Sequence, residues 1–75
     1  MSGLTRLGTY FEKKSINKAS VARKTGLGKN RITAITTNET ARLTAEELYL
    51  IALAVEENPC ELLEYVCGHL RVNQE

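Results

Sequence analysis

Lys18-Ala19-Ser20-Val21-Ala22-Arg23-Lys24-Thr25-Gly26-Leu27-Gly28-Lys29-Asn30-Arg31-Ile32-Thr33-Ala34-Ile35 is the stretch whose reading decides the fold. It reads as two short helices joined by a tight turn. Two helices cross closely only where a small residue lies at the contact, and Ala22 occupies that place. Four residues later Gly26 ends the first helix, because glycine enters the left-handed region without a Cβ penalty. Val21, Leu27, Ile32 and Ile35 are spaced to anchor both helices to one core. Asn17, just ahead of the pair, is an N-cap whose side chain accepts backbone N–H groups.

Working outward, Leu4, Leu7 and Phe11 recur at i, i+3 and i+7, one stripe of an amphipathic helix predicted from about Gly3 to Lys14. A break follows at Ser15-Ile16-Asn17. On the other side, the second helix of the pair is predicted from Lys29 to about Thr36. The run from Thr36 to Leu43 has no period and reads as a loop. Thr44-Ala45-Glu46-Glu47 is a capping box that opens a helix to about Glu56. Asn58-Pro59-Cys60-Glu61 repeats the start signal, with proline at the first helical position and an acid in the first turn. That last helix runs to about Cys67, Gly68 lies beyond its end, and a flexible C-terminal end is expected from about Arg71. No strand alternation competes. The expected fold class is all-α, five helices in a single domain over residues 1–75, with the helix pair at about 18–36 and the last two helices within 45–67.

A chain of 75 residues has room for one core and no more, and at this size association commonly adds stability. Its 43% apolar and 25% charged residues exclude a disordered tail. The longest apolar run, Leu48 to Val55, is far short of the roughly 20 residues of a membrane span. Met1 to Arg6 lack the basic-then-apolar layout of a secretory signal, which leaves the cytoplasm as the expected location. The net charge of +1 conceals a strong polarity. Up to Arg42 there are nine basic residues against Glu12 and Glu39; from Leu43 on, Arg71 alone faces seven glutamates. Such a division points a basic surface at an anionic partner and turns the acidic part away from it.

The Ala22 and Gly26 pair with its apolar anchors resembles the helix-turn-helix of Cro/CI-type (XRE-type) regulators of phages and bacteria. The resemblance extends further: Leu48-x-x-Ile51-Ala52-x-Ala54-Val55 is similar to the family's fourth helix, and Asn58-x-x-Glu61-Leu62-Leu63 to the start of its fifth. Roughly Leu4 to Val66 are covered, with helix order and loop lengths in agreement. Two positions depart from the pattern. Thr36-Thr37-Asn38-Glu39 stands where the family often has a Glu-Asn-Gly turn, and Glu57 stands where it usually has an apolar residue. The resemblance implies a compact, lambda-repressor-like five-helix DNA-binding domain acting as a dimeric transcriptional regulator, with repression the expected role.

In this motif the second helix enters the major groove and its N-terminal residues reach base edges. The implied base-edge residues are Gly28, Lys29, Asn30, Arg31, Thr33 and Ala34. Lys29 is suited to guanine O6 or N7, and Asn30 to the donor and acceptor of adenine, whereas Ala34 offers a methyl to thymine. Arg31 suits a guanine or a phosphate, and the sequence does not choose between them. Phosphate contacts are expected from Lys18, Thr37, Asn38, Arg42 and, more remotely, Arg6.

A single reading helix spans few base pairs, so a symmetric pair is expected. Leu50 and Leu53 lie off the core face of the fourth helix, and Cys60, Leu63 and Cys67 form a second stripe on the fifth, which makes these five the expected dimer seam. Burial of that stripe under the tail from Gly68 to Val72 is the alternative. Two cysteines seven apart on a helix are about 10 Å apart along it, too far for an internal disulfide. With His69 they have neither the spacing nor the fourth ligand of a zinc site. No metal, cofactor or small-molecule ligand is expected. The chain has no Gly-rich phosphate loop and no nucleophile–base set, which argues against an enzyme. The rival reading is an antitoxin or adaptor that uses the same fold to bind protein.

Overall fold

The computed structural model describes residues 4–73. Among them are five helices and no strand: α1 (Arg6–Lys13), α2 (Lys18–Thr25), α3 (Lys29–Thr37), α4 (Ala45–Ala54) and α5 (Pro59–Cys67). Four of the five begin at a side chain that supplies an acceptor for the otherwise orphaned first-turn amides. Asn17 accepts from the Ser20 N–H at 3.0 Å, and Asn58 from those of Cys60 and Glu61. Thr44 accepts from the Glu47 N–H at 3.1 Å while Glu47 accepts from the Thr44 N–H at 3.0 Å, so the capping box closes in both directions.

The fourth capped start was not read from the sequence. The first helix begins at Arg6 rather than near Gly3, which lies outside the described residues, because Thr5 takes the N-cap position and accepts from the Gly8 N–H. Thr5 also reaches across the molecule. Its hydroxyl donates to the Ile35 carbonyl at 2.8 Å and its N–H to that of Thr36 at 3.0 Å, closing the end of α3. The loop expected from Thr36 accordingly starts later, at Asn38. Thr36 is fully buried, and its hydroxyl is satisfied by the Ile32 and Thr33 carbonyls.

The core is one cluster to which every helix contributes: Leu7, Tyr10 and Phe11 from α1, Val21 and Ala22 from α2, Ile32 and Ile35 from α3, Leu48, Ile51 and Ala52 from α4, and Leu62 from α5. In that arrangement α1 packs on α3 and α5, α2 on α3 and α4, and α4 on α5. Where α1 crosses α3, Gly8 lies against the Thr36 carbonyl so closely that a Cβ would overlap it.

Glu57, the departure from the usual apolar residue, has a partner here. The Tyr10 hydroxyl donates to its carboxylate at 3.2 Å, and the Tyr10 ring meets Tyr65 edge-on at 5.2 Å. Burial, then the hydrogen bond to Glu57, raises the Tyr10 pKa. Lys13 and Lys14 at the end of α1 lie over the Tyr65 and Tyr10 rings at 5.7 and 5.9 Å, joining this seam. Past Gly68, Arg71 folds back to donate to the Gly68 and Leu70 carbonyls. The last residues of the end expected to be flexible, 74 and 75, lie outside the described residues.

α4 stops at Ala54 rather than near Glu56, because Glu56 turns into the left-handed region at φ 60°. The Glu57 N–H then bonds back to the Ala52 carbonyl, a Schellman-type ending. Ser15 does the same after α1 at φ 55°. A side chain at such a position costs about 1–2 kcal/mol, whereas glycine costs more unfolded-state entropy. Glu56→Gly is therefore expected to stabilise the domain by about 0.5–1 kcal/mol net, read as a higher urea midpoint at unchanged slope. An unchanged or lower midpoint would contradict the turn geometry.

Candidate nucleic-acid interface

The α2–α3 turn is built from backbone that only certain residues supply. Gly26 is left-handed at φ 76°, and the Thr25 hydroxyl donates to the Val21 carbonyl while accepting from the Leu27 N–H. Gly28, the N-cap of α3, has φ 86° and ψ 151°, a region essentially confined to glycine. It brings no side chain to cap the helix, so the first turn of α3 opens outward with its amides uncapped.

α3 is held by one face and free on the other. Ile32, Ile35 and Thr36 are buried, whereas Lys29, Asn30, Thr33 and Thr37 are exposed and Ala34 is half-buried. The exposed four recur at helical spacing along one outer stripe, with the charged and amide side chains at its N-terminal end. Among them Thr37 is already engaged, its hydroxyl donating to the Thr33 carbonyl at 2.7 Å. Gly28 is exposed beside them.

Arg31 has a different setting. Its guanidinium forks onto Glu47, Nε to Oε2 at 2.7 Å and Nη2 to Oε1 at 2.9 Å, and Nη2 also donates to the Arg42 carbonyl at 2.6 Å. The pair joins residues 16 positions apart, α3 to the capping box of α4, and bidentate geometry makes it stronger than a usual surface contact. The Arg31 hydrogen bond holds the Glu47 carboxyl well below its ordinary range, at about 2, despite partial burial, with help from the Thr44 N–H. The same bond raises the Arg31 pKa.

A carboxylate depressed from 4.5 to about 2 contributes stability that is complete above the higher value and lost on acidification towards the lower one. Urea midpoints are thus expected to fall between pH 5 and pH 2.5 more steeply for the native chain than for Glu47→Gln. Parallel pH profiles of the two proteins would remove Glu47 from that account.

The residues expected at phosphates divide. Lys18 is half-buried at the first position of α2, and Arg42 is exposed in the loop between α3 and α4. Asn38 caps that loop, its Oδ1 accepting from the N–H and hydroxyl of Thr40 at 2.9 and 2.7 Å. Arg6 points elsewhere: its Nε donates to the Tyr65 carbonyl at 3.3 Å, in the last turn of α5. Of the expected seam, Leu50, Leu53 and Leu63 are 38%, 54% and 50% exposed, Cys60 is exposed and Cys67 half-buried. Tyr49 is likewise 54% exposed on α4, although in the sequence it reads as one more apolar residue in a run of eight. Among the described residues no helix is long and apolar enough to cross a membrane.

Comparison with curated proteins and with solved structures gives no match. A family model, described as a Cro/C1-type HTH DNA-binding domain, matches residues 6–68, from the first residue of α1 to the one that follows α5. The two-helix crossing at Ala22 and Gly26, the anchored α3 and the three helices packed around them are all inside that match, and the chain belongs to the Cro/C1-type helix-turn-helix DNA-binding domains.

Proposed function

We propose that the domain reads a specific double-stranded DNA site as a homodimer and acts as a transcriptional regulator, a repressor, in the bacterial or phage-infected cytoplasm. The observation that carries this reading is the outer stripe of α3. Lys29 and Asn30 stand exposed at the end that meets base edges in this motif, followed by Thr33 and the half-buried Ala34, on a helix whose opposite face is fixed in the core. Gly28 lets the backbone approach a groove closely. Lys18, Thr37, Asn38 and Arg42 are the rim that would meet phosphates, with Arg6, exposed and bonded through its Nε to the Tyr65 carbonyl, more remote. The dimer is assigned to the exposed apolar surface of Tyr49, Leu50, Leu53 and Leu63 with Cys60 and Cys67.

Selection from random duplex DNA, followed by salt titration and sedimentation on the winning site, tests the whole reading. The expected result is a two-fold symmetric site with half-sites about one helical turn apart, two chains per site, and affinity that collapses with salt. Absence of any enriched site at low salt would overturn it and favour the adaptor or antitoxin reading.

A further inference from the structure

We propose that Arg31 is a positioning residue: it sets the angle of the recognition helix and the course of the loop behind it, and does not itself touch DNA. The inference rests on the DNA-reading function proposed above. Arg31 follows Asn30 at the head of the exposed stripe, and from sequence it suits a guanine or a phosphate. The fork onto Glu47 and the bond to the Arg42 carbonyl engage its Nε and Nη2 groups within the protein.

Three parts of the interface meet at that guanidinium. α3 supplies Arg31 itself. α4 supplies Glu47, which is fixed independently because it also accepts from the Thr44 N–H. The loop supplies the Arg42 backbone, from which the exposed Arg42 side chain leaves. A planar group with three bonds to two other elements restricts rotation of α3 about its own axis, which the apolar contacts of Ile32 and Ile35 restrict less directionally. It also fixes how far Arg42 stands from the stripe headed by Lys29 and Asn30. Its charge is paired with Glu47, so it contributes little to the field felt by a phosphate.

Two variants separate positioning from reading, because the alternatives differ in sign. Glu47→Gln retains the capping-box acceptor but removes the carboxylate onto which the guanidinium forks. If Arg31 positions, specific affinity falls about tenfold and the double variant with Arg31→Met is no worse than either single one. If Arg31 were a reader held in reserve, the freed side chain would raise affinity for the selected site more than for a random duplex, which would overturn the proposal.

Arg31→Met keeps length without charge. It is expected to lose a similar factor while leaving the preferred base at every position unchanged and the salt slope within about half a unit. A changed base preference at one position, or a slope lower by about one, identifies a direct contact and sinks the inference. So does unaltered affinity of both variants at a temperature where each is fully folded, since the pair would then serve stability alone. Failure of the native chain to select any site is a separate result, which strikes the DNA reading itself.

Discussion

Gly8→Ala is expected to cost about 3 kcal/mol or more, a large share of the roughly 4–11 kcal/mol available to a chain this size. A Cβ at this position overlaps the Thr36 carbonyl oxygen and crowds its carbon at 3.0 Å. The obstacle is backbone inside a helix, so no side-chain rotation relieves it. Relief requires α1 to lift from α3, and that motion also breaks the Thr5 bonds to the Ile35 and Thr36 carbonyls. The helix propensity of alanine returns about 1 kcal/mol, too little to reverse the sign. Thr9→Ala, on the exposed side of the same helix, is the control and should stay within about 0.5 kcal/mol. Urea denaturation of both variants decides the matter: near-native stability of Gly8→Ala would mean that the two helices do not cross this closely.

The second large effect concerns binding. Replacing Asn30 by alanine should cost about 1–3 kcal/mol on the selected site and relax preference at one base position per half-site. Lys29→Ala should act similarly at a neighbouring position, and the double variant should lose roughly a hundredfold or more. Both side chains are exposed, so neither change should move the urea midpoint by more than about 0.5 kcal/mol. Affinity for the selected site has to be compared with affinity for a random duplex. Equal losses on both would assign these residues to phosphates and leave base reading to Thr33 and Ala34.

What could be read from the sequence was local. Asn17, Gly26, the Thr44 and Glu47 box and the Asn58-Pro59 start act within a few residues of themselves, so spacing alone identifies them. Core positions on α3 and α4 followed from period. The features that escaped depend on residues distant in the chain. Thr5 looks like an ordinary polar residue until the end of α3 is brought beside it, and Gly8 looks like a weak helix former until Thr36 is against it. Thr36 reads as loop because a threonine gives no hint that its hydroxyl will be satisfied inside a buried turn. Arg31 was legible as a cation at the start of α3, but its partner lies on another helix. Glu57 looked misplaced in the sequence because Tyr10, which donates to it, is on α1. The left-handed Ser15 and Glu56 are residues that rarely announce that conformation.

The two ends of α3 are finished differently, one by bonds from Thr5 and the other by an ion pair to α4. At its C-terminal end, Thr5 ties down two carbonyls with two bonds, so amide exchange there should need the domain to come apart. At Gly28 no side chain caps the helix, and its first turn is held from the side, by Arg31 through Glu47 and the Arg42 carbonyl. That held turn is the one that carries Lys29 and Asn30, whose side chains stay exposed. In the DNA-reading role proposed above, conformational entropy would be surrendered by those two side chains, with the register of the helix behind them already fixed. A reader built this way would adapt its fingertips to the local shape of the groove without shifting its grip.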